Sequence, residues 1–181
     1  MLTQNNDGVS TWADLEREAP DVAAVADRVW AGIIGLSRNE RAPSDGPWFA
    51  VAYLATIRRD GAPRLHPFCP ILAGGRLFAA IPRQSPKGWD LRWDPRCVIH
   101  AMPGPEDDEL CIRAMATDVT TDAAATALVH QVVMRSGVGG MIESASHDPI
   151  FEFDLRQVDA ARWLNVGQPG TRAVRYQWRA T

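Results

Sequence analysis

The sequence predicts a mainly β (α+β) fold: an antiparallel barrel with helical additions. Three observations predict it. Short apolar runs of strand length recur between residues 48 and 119, each bounded by turn formers. The links Asp60-Gly61 and Ala73-Gly74-Gly75 are tight turns, of the kind that join antiparallel neighbours. Helix-like stretches stand before this region, inside it and after it.

Thr11 caps a short acidic helix, TWADLEREA, which Pro20 ends. In a second helix Val22, Val25, Ala26, Val29, Trp30, Ile33 and Ile34 repeat at i, i+3, i+4 and i+7 and form one apolar stripe. Asp21 suits its positive end, and Gly35 and Ser37 close it. These are the N-terminal helices, over 11–36. Residues 37–48 form a polar loop of turn formers. The barrel core follows, over about 48–120. WFAVAYLATI (48–57) is apolar on both faces and reads as a buried strand. RLHPFCPIL (64–72) is the return strand, with Pro67 and Pro70 marking an edge or bulge. RLFAAI (76–81), CVIHAM (97–102) and ELCIRAMATDV (109–119) read as further strands. Thr120 or Thr121 caps a helix over 121–134. Residues 135–149, rich in Gly and Ser, read as a mobile loop. IFEFDL, ARWLNV and TRAVRYQW close the chain as three strands between 150 and 179. Without a linker or an internal repeat, residues 1–181 read as a single domain.

Composition narrows the function. In 181 residues, 46% hydrophobic and 23% charged content is ordinary for a globular protein, enough to bury a core. The net charge of −3 argues against a nucleic-acid partner, which a basic face would serve. No apolar run approaches the ~20 residues of a membrane helix, and the polar, acidic N-terminus is unlike a signal peptide. Cys69, Cys97 and Cys111 cannot all pair and include no C-x-x-C, so they read as reduced, buried thiols of a cytoplasmic protein. The four histidines lack the spacing of a metal site, and none is assigned.

The stretch RQSPKGWDLRWDPR (83–96) carries the chemistry. Ser is a preferred N-cap and Pro a preferred first helical residue, so Ser85 and Pro86 start a helix. That places Lys87 in the first turn, where the helix dipole disfavours a cation and attracts an anion. A phosphate bound beside Ser85, Lys87 and Arg83 resolves the conflict; a solvated surface lysine is the plainer alternative.

With its context, LATIRRDGAPRLHP, then GGRLFAAI, then S-x-K-x-x-D-L-x-x-D-P-R, this stretch resembles the pyridoxamine 5′-phosphate oxidase-like FMN-binding split-barrel superfamily. The resemblance covers residues 50–120 best. It implies a six-stranded antiparallel split β-barrel (Greek key) with N-terminal and inserted helices. It also implies a homodimer with the cofactor, commonly FMN, at the interface. Ser85 and Lys87 match the S-x-K that holds the phosphate, with Arg83 as a further cation. Arg64, His66, Pro67 and Phe68 match the strand that meets the phosphate and the isoalloxazine ring, and Ala80 and Ile81 the strand end beside the ring. The implied activity is that of an FMN-dependent oxidoreductase acting on a small molecule. Pro86 replaces the Arg usual in the oxidases, Arg113-Ala114 lacks the glycine of their R-x-G, and their vitamin-binding C-terminal segment is not recognisable. The resemblance therefore does not extend to the vitamin B6 substrate. A deazaflavin in the same cleft, or a non-catalytic protein binding flavin or haem, remains open. Arg162, Arg172, Arg175 and Arg179 read as a solvated strand face or as the far wall of a pocket for an anionic substrate or a cofactor phosphate from the partner subunit.

Overall fold

The computed structural model describes residues 8–30, 51–102, 107–136 and 139–181. Helices α1 (Trp12–Glu18) and α2 (Pro20–Val29) open it. Thr11 caps α1 in a reciprocal box: Asp14 N–H donates to its hydroxyl at 3.2 Å, and its own N–H donates to the Asp14 carboxylate at 2.8 Å. Pro20 ends one helix by starting the next. The apolar stripe of α2 is buried at Val22, Val25, Ala26 and Trp30, with Trp30 stacked on Trp12 at 5.5 Å between ring centroids. Ile33, Ile34, the start of the 48–57 run and the loop before it lie outside the described residues.

The strands are β1 (Ala52–Ile57), β2 (Pro63–Phe68), β3 (Ile71–Ala73), β4 (Arg76–Ala80), β5 (Arg96–Ala101), β6 (Glu109–Asp118), β7 (Ile150–Leu164) and β8 (Arg172–Arg179). All pair antiparallel, in the order β2-β1-β5-β6-β7-β4-β3, with β8 also on β7. β2 and β3 end this path, yet only Cys69 and Pro70 separate them. Three Cα steps reach at most about 11 Å, so the two ends of the sheet must meet and the sheet curls into a barrel.

The barrel is split on one edge of β7. Residues 150–153 pair with β4, and residues 157–164 pair with β8. Between them Arg156 is an extra residue, opposite the step from Arg113 to Ala114 on β6. The core fills the inside with Leu54, Leu77, Ile81, Ile99, Ile112, Phe151, Phe153, Leu155 and Val158, closed by α1 and α2. A second cluster, around Ile71, Phe78, Val129, Val133 and Ile150, lies under α4 (Ala123–Ser136) and α5 (Gly139–His147).

Several expectations are corrected. The described strands number eight, not six. The 64–72 run is two strands, because Pro70 lacks the N–H that would continue the ladder. IFEFDL and ARWLNV are one fifteen-residue strand, whose bulge at Arg156 disguises its alternation. Asp122, not Thr120 or Thr121, caps α4: its carboxylate accepts from Ala124 and Ala125 N–H at 2.9 and 3.1 Å. Within 135–149, read as a loop, α5 forms and buries Ala145 against α4, and His130 Nε2 meets the Ala145 carbonyl at 2.5 Å. Of the thiols only Cys97 is fully buried, its pKa pushed up to about 12 by burial; Cys69 and Cys111 are half-buried.

Candidate functional site: a cationic cradle between β2 and α3

Helix α3 (Pro86–Trp93) runs beside β2, and their side chains meet in step. Lys87 reaches Pro67; three residues on, Asp90 reaches Arg64; three further, Trp93 reaches Arg59 beyond the end of the strand. Among the described residues β2 is an edge strand, paired only with β1. Its alternation sets Arg64, His66 and Phe68 on one face, opposite Thr56, Leu54 and Ala52 of β1, and Leu65 and Pro67 on the other.

The first meeting point is the cradle. Lys87 Nζ donates to the Pro67 carbonyl at 2.9 Å. Burial pushes the Lys87 ammonium below the usual lysine range, with the nearby Cys69 thiol acting in the opposite sense. Among the described residues no carboxylate pairs with Lys87. His66 Nε2 is buried without a hydrogen-bond partner. Burial, then the Lys87 and Arg64 cations, push its imidazole below the usual range, so near neutral pH the ring is uncharged. Ser85 stands in extended conformation before α3 and makes no side-chain capping bond. The Gly88 and Trp89 N–H groups turn instead to the Ser85 carbonyl, at 3.0 and 3.4 Å.

The second meeting point is a buried support. Asp90, 7% exposed, accepts a hydrogen bond from Thr56 Oγ1 at 2.8 Å. Arg64 Nε lies 2.8 Å from Asp90 Oδ2, an ion pair whose N–H is not aimed at the oxygen. Both contacts hold Arg64 beside His66. The S-x-K-x-x-D string contains Asp90, but its role was not legible there, because its partners come from β1 and β2. Thr56 is hidden in an apolar run.

The remaining candidates are distributed more widely. Phe68 is buried edge-to-face on Phe153 at 5.9 Å. Ala80 ends β4, half-buried opposite Ile150. Ile81 puts its side chain in the core under Gly88, where an added Cβ would lie 3.3 Å from Ile81 Cγ2; its N–H donates to the Pro149 carbonyl at 2.9 Å. Arg83 is exposed. Arg172, Arg175 and Arg179 are exposed on β8, paired to the part of β7 beyond the split. Among the described residues no group of three or more His, Cys, Asp or Glu side chains is placed to hold a metal ion.

The fold has counterparts among solved structures. HutZ, the haem storage protein from Vibrio cholerae, superposes with a TM-score of 0.51 at 19% identity, over 60% of this chain and 84% of its own. A haem-binding protein from Mycobacterium smegmatis gives 0.54 at 20% identity, over 86% and 57%. ChuZ from Campylobacter jejuni gives 0.59 at 13% identity, over 72% and 55%. The chain has the fold of the pyridoxamine 5′-phosphate oxidase-like split barrels. It spans little more than half the length of the latter two proteins. No family model matches the sequence, and no curated protein matches it. No helix among the described residues is long and apolar enough to cross a membrane.

Proposed function

We propose that the cradle binds the phosphate of FMN and that the protein is a flavin-dependent oxidoreductase acting on a small molecule. One observation carries this reading. Among the described residues, a half-buried lysine without a carboxylate partner sits at a helix start, beside a Ser85 hydroxyl that makes no capping bond and a His66 Nε2 without a hydrogen-bond partner. Desolvating a cation is costly unless something pairs with it, and an anion supplies the missing partner. Lys87, Ser85 and Arg64 hold the phosphate, and Asp90 and Thr56 keep Arg64 in place. His66 Nε2 offers one hydrogen bond to the cofactor. Bound flavin supplies the electron chemistry, so the chain's task is to bind, orient and exclude water.

The test is an FMN titration followed by flavin fluorescence. Lys87→Ala weakens binding roughly ten- to a hundredfold, since a charge-assisted hydrogen bond contributes about 1.5–3 kcal/mol. Lys87→Arg retains most of it. Equal affinity of Lys87→Ala and the parent protein removes Lys87 from the site.

Haem is the second reading. It is favoured by the same unpartnered His66 Nε2, a nitrogen suited to an axial ligand, and by the haem proteins among the structural counterparts. A deazaflavin needs more basic surface for its acidic tail, which Arg58 and Arg59 extend beyond the cradle.

A homodimer completes the proposal. Strand register puts Tyr53, Ala55 and Leu65 on one outer face of the sheet, with Val51 and Met102 at its end. Leu65 is 62% and Met102 46% exposed, so apolar surface collects along β1 and β2, beside the cradle. A second copy covers it and walls the cofactor.

A further inference from the structure

The third meeting point of β2 and α3 is a pocket of about 450 Å³, lined by Arg58, Arg59, Asp60, Arg64, Trp89, Asp90 and Trp93. It lies at the opposite end of α3 from Lys87. Arg64 and Asp90 line the pocket as well as serving the cradle, but Lys87 does not, and the six helical residues from Lys87 to Trp93 rise about 9 Å, so the pocket adjoins the cradle and extends away from Lys87. Its wall is unusual for a surface. Trp89 and Trp93 are 58% and 56% exposed and, four residues apart, share one helix face. Trp12, Trp30 and Trp178 are buried in the core. The Arg59 guanidinium lies over the Trp93 ring, 4.7 Å from its centroid.

The charges leave a remainder. Arg58 pairs with Asp60 at 3.0 Å and Arg64 with Asp90 at 2.8 Å, whereas among the described residues no carboxylate meets Arg59. The Arg58–Asp60 pair is exposed on both sides and contributes little, so Arg58 is free to turn to a ligand. The exposed Trp89 indole, the Arg59 guanidinium stacked on Trp93 and the exposed Arg58 fit one chemical class: a flat ring bearing an anionic group. The volume is that of a small-molecule site.

We infer that this pocket is a second binding site, separate from the cradle, for an aromatic anion: a nucleoside phosphate or an aryl carboxylate. The ring stacks on Trp89, Trp93 holds the Arg59 guanidinium in place, and Arg59 and Arg58 pair with the anion. The inference does not require a flavin in the cradle.

Tryptophan fluorescence of the full chain, titrated with adenosine 5′-monophosphate, tests it. The expected result is a saturable quench that Arg59→Ala and Trp93→Ala each weaken roughly three- to tenfold. Both side chains are exposed, so the fold survives, and both variants keep the parent FMN affinity. Displacement of the nucleotide by benzoate at similar concentration assigns the site to aryl carboxylates; resistance to benzoate assigns it to nucleoside phosphates. Three results overturn the inference: no saturable quench, a quench that both variants retain, or inorganic phosphate competing as well as the nucleotide. Displacement by one equivalent of FMN merges the pocket with the cradle and overturns a separate site.

Discussion

At the scale of a single residue the proposed function rests on Lys87, and its titration gives the sharpest prediction. Anion binding favours the ammonium over the neutral amine. Burial in the ligand-free site lowers its pKa from the ordinary 10.5. FMN affinity is therefore full below that lowered value and is lost as pH rises through it, earlier than an exposed lysine allows. Lys87→Arg removes this dependence, because a guanidinium stays charged. Titrations between pH 7 and 9.5 check it; equal alkaline loss in both proteins contradicts it. The place of Lys87 at the start of α3 was legible in the sequence because it rests on local rules: Ser before Pro starts a helix, and a cation in the first turn needs a reason. Asp90, Thr56 and the hydrogen bond to Pro67 O were not legible. Each needs the β1–β2 hairpin laid against α3, a long-range contact that no local spacing encodes.

Among the described glycines, Gly75, in the turn between β3 and β4, leaves the least room for a side chain. Gly75 has φ +72°, and an added Cβ would lie 2.9 Å from Ala13 Cβ, where α1 begins. Ala13 N–H also donates to the Gly75 carbonyl at 3.0 Å, tying helix to hairpin. Gly75→Ala combines backbone strain with a clash and destabilises by about 2–4 kcal/mol. Gly61 has φ +82° but open space around it, so Gly61→Ala costs only the strain, about 1 kcal/mol. Urea midpoints of the two variants check the ordering. Thr11→Ala removes one half of the capping box and destabilises by about 1 kcal/mol in the same assay. Element types were legible wherever a period or a cap marked them, as in α1, α2, α3, β1 and β4. They were obscured where a tertiary feature broke the pattern. The bulge at Arg156 shifts β7 by one residue, so its two halves read as separate strands. In α5 the contact to α4 and the His130 bond hold Gly- and Ser-rich sequence in a helix that its propensity disfavours.

For the whole molecule, the proposed site and the proposed interface share strand β2, whose inner face carries Arg64 and His66 and whose outer face carries Leu65. In the proposed dimer, Leu65→Asp places a charge in the interface. It lowers the mass in sedimentation from twice the chain mass to the chain mass, and weakens FMN binding with it. A parent protein that sediments at the chain mass and still holds FMN tightly contradicts an interfacial site. The curl of the sheet follows from β2 and β3 being consecutive at opposite ends of the path, so the barrel is a consequence of topology. The split follows from β7 being long enough for two partners on one edge.

The role proposed for the cradle of Lys87, Ser85, Arg64 and His66 is to hold a flavin. Its most direct test is a visible absorption spectrum of the freshly purified protein, with mass analysis of whatever denaturation releases. A flavin spectrum and released FMN are the predicted result. A Soret band, or a colourless protein that fails to take up added FMN, contradicts it.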